Sequence, residues 1–218
     1  MFGRFSLLEI LSRVFVLFCI LPIHEFAHAA VANALGDKTA KFSGRLTPNP
    51  LAHLDLFGSI MIIIGGFGYA KPVPVNPRNF KNPKYGMALT AAAGPISNLV
   101  MGFIFIFLYC LVFAKTTVVE ETMPYYIAMF FSFTAQVNVG LAVFNLIPVP
   151  PLDGSRILRL IVPDKTYFKF LQYERYISMI MLVLVVVGAF SLPISIVSDF
   201  IIDKYLNICA SIFGLKVG

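Results

Sequence analysis

Residues 14–36 read VFVLFCILPIHEFAHAAVANALG, and the fold is decided here. The stretch is long enough to cross a bilayer as a helix, which takes about 20 mainly apolar residues. Its only acidic or basic side chains are His24, Glu25 and His28, crowded into a single helical turn. A carboxylate at the centre of a membrane helix costs at least about 2.5 kcal/mol, so its presence calls for a role. Positions i and i+4 share one face of a helix, so His24 and His28 can grip one metal ion, with Glu25 on the flank as a general base. The alternative is a helix that buries two histidines for packing alone, which leaves the glutamate unexplained.

The composition agrees with a chain that lives in lipid. Of 218 residues, 58% are hydrophobic and 13% charged, with a mean hydropathy of +0.84; soluble domains average about 45–50% and about 25%. A soluble monomer of this size leaves about a third of its unfolded surface in water, too much for such a sequence to hide. The net charge of +6 does not imply nucleic acid, because basic residues in membrane proteins mark cytoplasmic loops. Cys19, Cys110 and Cys209 are far apart in apolar runs. They offer neither a disulfide framework nor a C-x-x-C site, and read as small buried hydrophobes.

Three further stretches are apolar enough to span: residues 86–114, 122–152 and 176–198, the last broken late by Pro193. The expected fold is therefore an all-α polytopic membrane protein, one domain over residues 1–218. It has a three-span core and at least one further C-terminal span. The opening residues 1–13 lack a following cleavage site and are read as retained rather than as a signal peptide. Residues 205–215 are short for a span and read as interfacial or re-entrant. Between the first two core spans, residues 56–70 are apolar but brief and rich in glycine. A re-entrant or shallow element fits them, with a short spanning helix as the alternative. The proline-rich run that follows, residues 71–83, is extended by necessity.

Charge sets a topology. Residues 71–85 hold Lys71, Arg78, Lys81 and Lys84 without an acid, and the loop after the third span is also basic. Lys115 faces Glu120 and Glu121 between the second and third spans. The positive-inside rule places the first two segments in the cytoplasm and the last outside. Arg4 and Arg13 at the outer end of the first span argue against this on the N-terminal side.

Zinc chemistry needs at least one more protein ligand and an open position. Asp153 is the candidate, in the run Asn145, Leu146, Ile147, Pro148, Val149, Pro150, Pro151, Leu152, Asp153, Gly154. Its prolines must open the helix. Either they aim Asp153 at the metal, or they merely end a span and Asp153 caps the next helix.

Three features in order, HEFAH (24–28), G-P-x-x-N (94–98) and NLIPVPPLDG (145–154), resemble the site-2 proteases, zinc metalloproteases that cut inside membranes. The resemblance covers roughly residues 14–160 and is that of a minimal form without a PDZ or CBS domain. It implies a metalloendopeptidase with one zinc per chain, held by His24, His28 and Asp153, with Glu25 as general base. It also implies Asn145, and less directly Asn98, at the substrate carbonyl or developing oxyanion; interhelical hydrogen bonding is the other use of such amides. The implied partners are a transmembrane protein substrate and the lipid bilayer. The implied location is the cell membrane of a prokaryote, with the site toward the cytoplasm.

His53 reads either as a polar structural residue or as a neighbour of the site. Residues 70–76 (AKPVPVN) read either as a rigid connector or as an edge that holds unwound substrate by strand addition. Two other function classes use the same residues. A metal transporter would repeat such ligands in other spans, and residues 86–114 and 176–198 hold no histidine or acid. A scaffold with structural zinc has no need of Glu25.

Overall fold

The computed structural model describes residues 7–55, 60 and 71–215. Helix is the only regular structure among them: α1 Leu7–Ala34, α2 Thr39–Phe42, α3 Pro50–His53, α4 Pro83–Lys115, α5 Met123–Asn145, α6 Asp153–Leu158, α7 Asp164–Gln172, α8 Glu174–Val186 and α9 Ser191–Phe213. Helices α1, α4 and α5 are each long and apolar enough to cross a membrane. They pack on one another, and α9 lies against α4 and α5.

Lipid tails are as apolar as leucine, so membrane helices associate through close packing rather than hydrophobic drive. The buried positions here are accordingly small: Ala29 and Ala32 of α1, Ala91 and Gly94 of α4, Ala135 and Ala142 of α5. Toward the start of α1 and the end of α4, the core side chains are larger. Val16, Ile20, Phe105 and Ile106 pack with Cys110 and Cys209, and Phe15 stands edge-on to Phe105 and Phe130. Those two cysteines are the small buried hydrophobes expected; Cys19 is exposed instead, on the outer face of α1.

Local chemistry explains the irregularities. The turn Val16–Ile20 in α1 is π-helical and contains Phe18, four residues before Pro22, whose ring would clash with that carbonyl in a regular helix. Helix α4 starts at Pro83, where Asn82 caps the amides of Lys84 and Tyr85, and it carries Pro95 in its interior.

Two expectations change. The run 176–198 breaks before Pro193: α8 ends at Val186, Gly188 adopts a left-handed φ of +75°, and α9 leaves at 77° to α8. Pro193 falls in the first turn of α9, where amides have no helical acceptor and proline is harmless. Residues 205–213 are not a separate interfacial piece but the last turns of α9. The expected re-entrant element at residues 56–70 lies outside the described residues, apart from the exposed Ile60. Residues 71–76 run without helix or strand pairing.

Polar clamps hold that segment against the end of α1. Asp37 is fully buried at 0% exposure. Its carboxylate accepts from the Thr39 hydroxyl and amide, from the Asn76 amide at 2.7 Å and from Asn79 Nδ2 at 2.7 Å. Arg45 donates from Nη2 to the carbonyls of Lys71 at 2.7 Å and Pro72 at 3.0 Å. The Lys71 amide donates to the His53 carbonyl at 2.8 Å. Burial by itself would raise the Asp37 carboxyl, but its hydrogen bonds from Thr39, Asn79 and Asn76 outweigh this and hold it below the usual carboxylate range.

Asp37→Asn turns one acceptor into a donor facing donors, and is expected to cost about 2 kcal/mol of stability. A group whose pKa falls on folding stabilises above its ordinary value, near 4 for a carboxylate, and loses that contribution as pH falls through the folded value. The deficit of Asp37→Asn should therefore be full at pH 7 and shrink below about pH 4. Thermal unfolding of both proteins in detergent across pH checks it; a deficit that stays constant into acid contradicts an ionised Asp37.

Candidate metal centre

His24 and His28 lie one turn apart on the same face of α1, downstream of the π-helical turn and Pro22. Both are buried, and their rings meet edge to face with centroids 4.7 Å apart. The Nε2 atoms stand 3.0 Å apart. Asp153 Oδ2 lies 3.3 Å from each of them. Helix α5 ends at Asn145, and the proline-bearing turn 146–152 returns the chain so that α6 begins at Asp153. Leu152, not Asp153, occupies the N-cap, and no side chain caps this helix. The Asp153 carboxylate goes to the histidine pair instead.

The sequence explains how that return is packed. A Cβ on Gly154 would run into the carbonyls of Leu146 and Ile147, so only glycine lets α6 sit on the turn that follows α5. Ser155 Oγ donates to the Leu152 carbonyl at 2.7 Å and tightens the start of α6.

The donor set suits zinc. His28 Nδ1 lies 2.7 Å from the Thr90 carbonyl of α4. A carbonyl only accepts, so Nδ1 carries the proton and Nε2 presents its lone pair. Two imidazole nitrogens and a carboxylate oxygen thus converge, and lone pairs brought this close repel one another unless a proton or a metal ion lies between them. Tetrahedral zinc with ligands at about 2.0–2.1 Å has ligand–ligand edges of about 3.3–3.4 Å, close to the observed triangle of 3.0, 3.3 and 3.3 Å. Among the described residues, His24, His28 and Asp153 form the single cluster of this kind.

Gly94 closes the other side. A Cβ there would stand 2.5 Å from His24 Nε2 and closer still to His28 Nε2. In the sequence Gly94 stands out only as part of the G-P-x-x-N run. Its contact depends on how near α4 comes to α1, which one chain's periodicity does not reveal; a glycine next to a proline inside a long helix was the available signal.

The triad borders a cleft of about 330 Å³. Glu25 lines it and is half-buried, flanking the histidine pair. Asn145 also lines it; one of its amide hydrogens goes to the Leu141 carbonyl at 3.0 Å, which leaves a second N–H for the cleft. Asn98 is absent from the lining. It is 1% exposed, and neither side-chain polar atom has a partner among the described residues, so the interhelical hydrogen bond is not seen among them. His53 is likewise off the cleft. Its Nε2 meets the Thr47 carbonyl at 2.7 Å, which is the structural use.

Comparison with known proteins accords with this geometry. Residues 12–188 match the model of Peptidase family M50. Three relatives share the name "Putative zinc metalloprotease". YwhC of Bacillus subtilis (strain 168) is 46% identical over 173 residues, 79% of each chain. MJ0611 of Methanocaldococcus jannaschii is 25% identical over 72% of this chain and 74% of its own. Rip2 of Mycolicibacterium smegmatis is 28% identical over 78% of this chain and 64% of its own. No solved structure matches the chain. With the match to the family model spanning most of its length and long apolar helices around the histidine pair, the chain belongs to Peptidase family M50 and is a multi-pass membrane metalloprotease.

Proposed function

We propose that this protein hydrolyses a peptide bond within or beside the transmembrane segment of a membrane-protein substrate, as in regulated intramembrane proteolysis. The observation that carries the reading is the triangle of His24, His28 and Asp153 formed between membrane-length helices, with Glu25 beside it. One zinc per chain fits that triangle, and zinc supplies a Lewis acid that polarises a carbonyl and acidifies water. Glu25 takes a proton from the attacking water at its carboxylate and delivers it to the leaving amine. The free N–H of Asn145 faces the growing negative charge, a role worth a few kcal/mol in a dry site.

A substrate helix must unwind before its carbonyl can approach. The segment that holds the unwound stretch is residues 72–75, of which Pro72, Val73 and Val75 line the cleft. Arg45 occupies the Lys71 and Pro72 carbonyls and Asp37 the Asn76 amide, while the prolines have no N–H. The Val73 and Val75 amides are left without a partner among the described residues, free for a substrate main chain by strand addition. The ends of α1 and α5 and the start of α4 meet on the side that carries Lys38, Lys41, Arg78, Lys81 and Lys84. By the positive-inside rule this is the cytoplasmic face of a prokaryotic cell membrane.

Metal analysis of purified protein, paired with cleavage-site mapping on a panel of single-span substrates, tests the reading. About one zinc per chain, cuts within or beside the span, loss with chelator and recovery with zinc are expected. Zinc-loaded protein that cuts none of the panel yet admits zinc into sealed vesicles would establish a transporter instead.

A further inference from the structure

We propose that Arg156 determines specificity by receiving an acidic side chain of the substrate close to the scissile bond; this rests on the proteolytic reading above. Arg156 lies three residues after Asp153 on α6, a spacing that puts both on one side of the helix. It is the only lysine or arginine among the described residues that line the cleft. Most of the remaining wall is apolar, including Leu21, Val73, Val75 and Phe144.

What sets Arg156 apart is that its charge is uncommitted. Arg159, one turn of chain later, pairs with Asp164 at 3.3 Å and lies over the rings of Tyr167 and Phe168. Arg156 is exposed and has no hydrogen bond or ion pair among the described residues. The two carboxylates that share the cleft do not neutralise it: Asp153 turns to the histidines, and Glu25 makes no salt bridge among the described residues. A guanidinium is a planar fork of donors that fits a carboxylate bidentately.

A lipid phosphate has similar chemistry. The substrate is favoured because Arg156 borders the same cleft as the catalytic groups, where the unwound chain must lie. Residues three apart on a helix are about 5–6 Å apart and an extended chain advances about 3.3 Å per residue. The recognised acid should therefore fall within about three residues of the cut.

The test is a single-span substrate series with Glu, Gln or Lys in that window, cut by zinc-loaded parent, Arg156→Glu, Arg156→Gln and Arg156→Lys. The parent should favour Glu over Gln by about tenfold in kcat/KM, mainly through KM and less at high salt. Arg156→Glu should reverse the order in favour of Lys, Arg156→Gln should level it, and Arg156→Lys should keep part of it. Zinc content should be equal in all four. A parent indifferent to the charge, or Arg156 variants that slow every substrate alike, would overturn the assignment and leave the proteolytic reading standing; the second result is the one a lipid-phosphate contact predicts. A parent that cuts none of the series overturns both.

Discussion

Glu25→Gln should bind zinc as the parent does and lose cleavage by about 10²–10⁴-fold, the usual contribution of a positioned general base. The substitution nearly preserves size, and Glu25 is only half-buried at the edge of the cleft, so no repacking is required. The three ligand atoms come from His24, His28 and Asp153 and are untouched. What the amide cannot do is accept and return a proton. His28→Ala provides the contrast, because it removes a ligand whose orientation is fixed by its hydrogen bond to the Thr90 carbonyl and should lose zinc and cleavage together. Zinc content and cleavage of a single-span substrate, measured on the same preparations, separate the two roles. Equal activity of Glu25→Gln and parent would sink the mechanism, and loss of zinc from Glu25→Gln would make Glu25 a ligand.

The parts of this site that lie within one helical turn were legible before any coordinates. His24 and His28 converge because a helix repeats every 3.6 residues, and a glutamate in an apolar span is too costly to be incidental. Asp153 was legible only as a candidate: prolines say that a helix must open, but not where the chain then goes. The answer lies in Gly154, which lets α6 rest on the Leu146 and Ile147 carbonyls and turns the aspartate back to α1. The break between α8 and α9 was misplaced for a related reason. Proline is the louder signal in a sequence, yet Pro193 sits harmlessly in a first turn, while Gly188 takes the conformation that ends the helix. The buried acceptor role of Asp37 was not anticipated at all, since its donors come from residues 39, 76 and 79. Contacts between elements were the common omission.

Gly94 is the sharpest of those contacts, and Gly94→Ala should lower zinc affinity about 100-fold, the upper end of what residues supporting a metal site contribute. The added methyl would lie against both Nε2 atoms, in the space toward which the ligands converge. Neither neighbour can yield cheaply. His28 is tied to Thr90 on the same helix as Gly94, so moving α4 away to relieve the methyl drags the ligand with it. His24 borders the cleft, but turning its ring away from the methyl would take Nε2 off Asp153. The same shift of α4 would also strain its contact with α5, where a Cβ on Gly102 would already meet Val139 at 2.8 Å. Gly140→Ala is the control: a Cβ at that position meets nothing within 4 Å, and this variant should keep parental zinc affinity. Zinc titration in detergent, with thermal unfolding to show that both variants are folded, decides the matter. A folded Gly94→Ala protein that binds zinc as tightly as Gly140→Ala would mean that α4 does not confine the histidine pair, and the fit of the ligand triangle to a single ion would lose its physical basis.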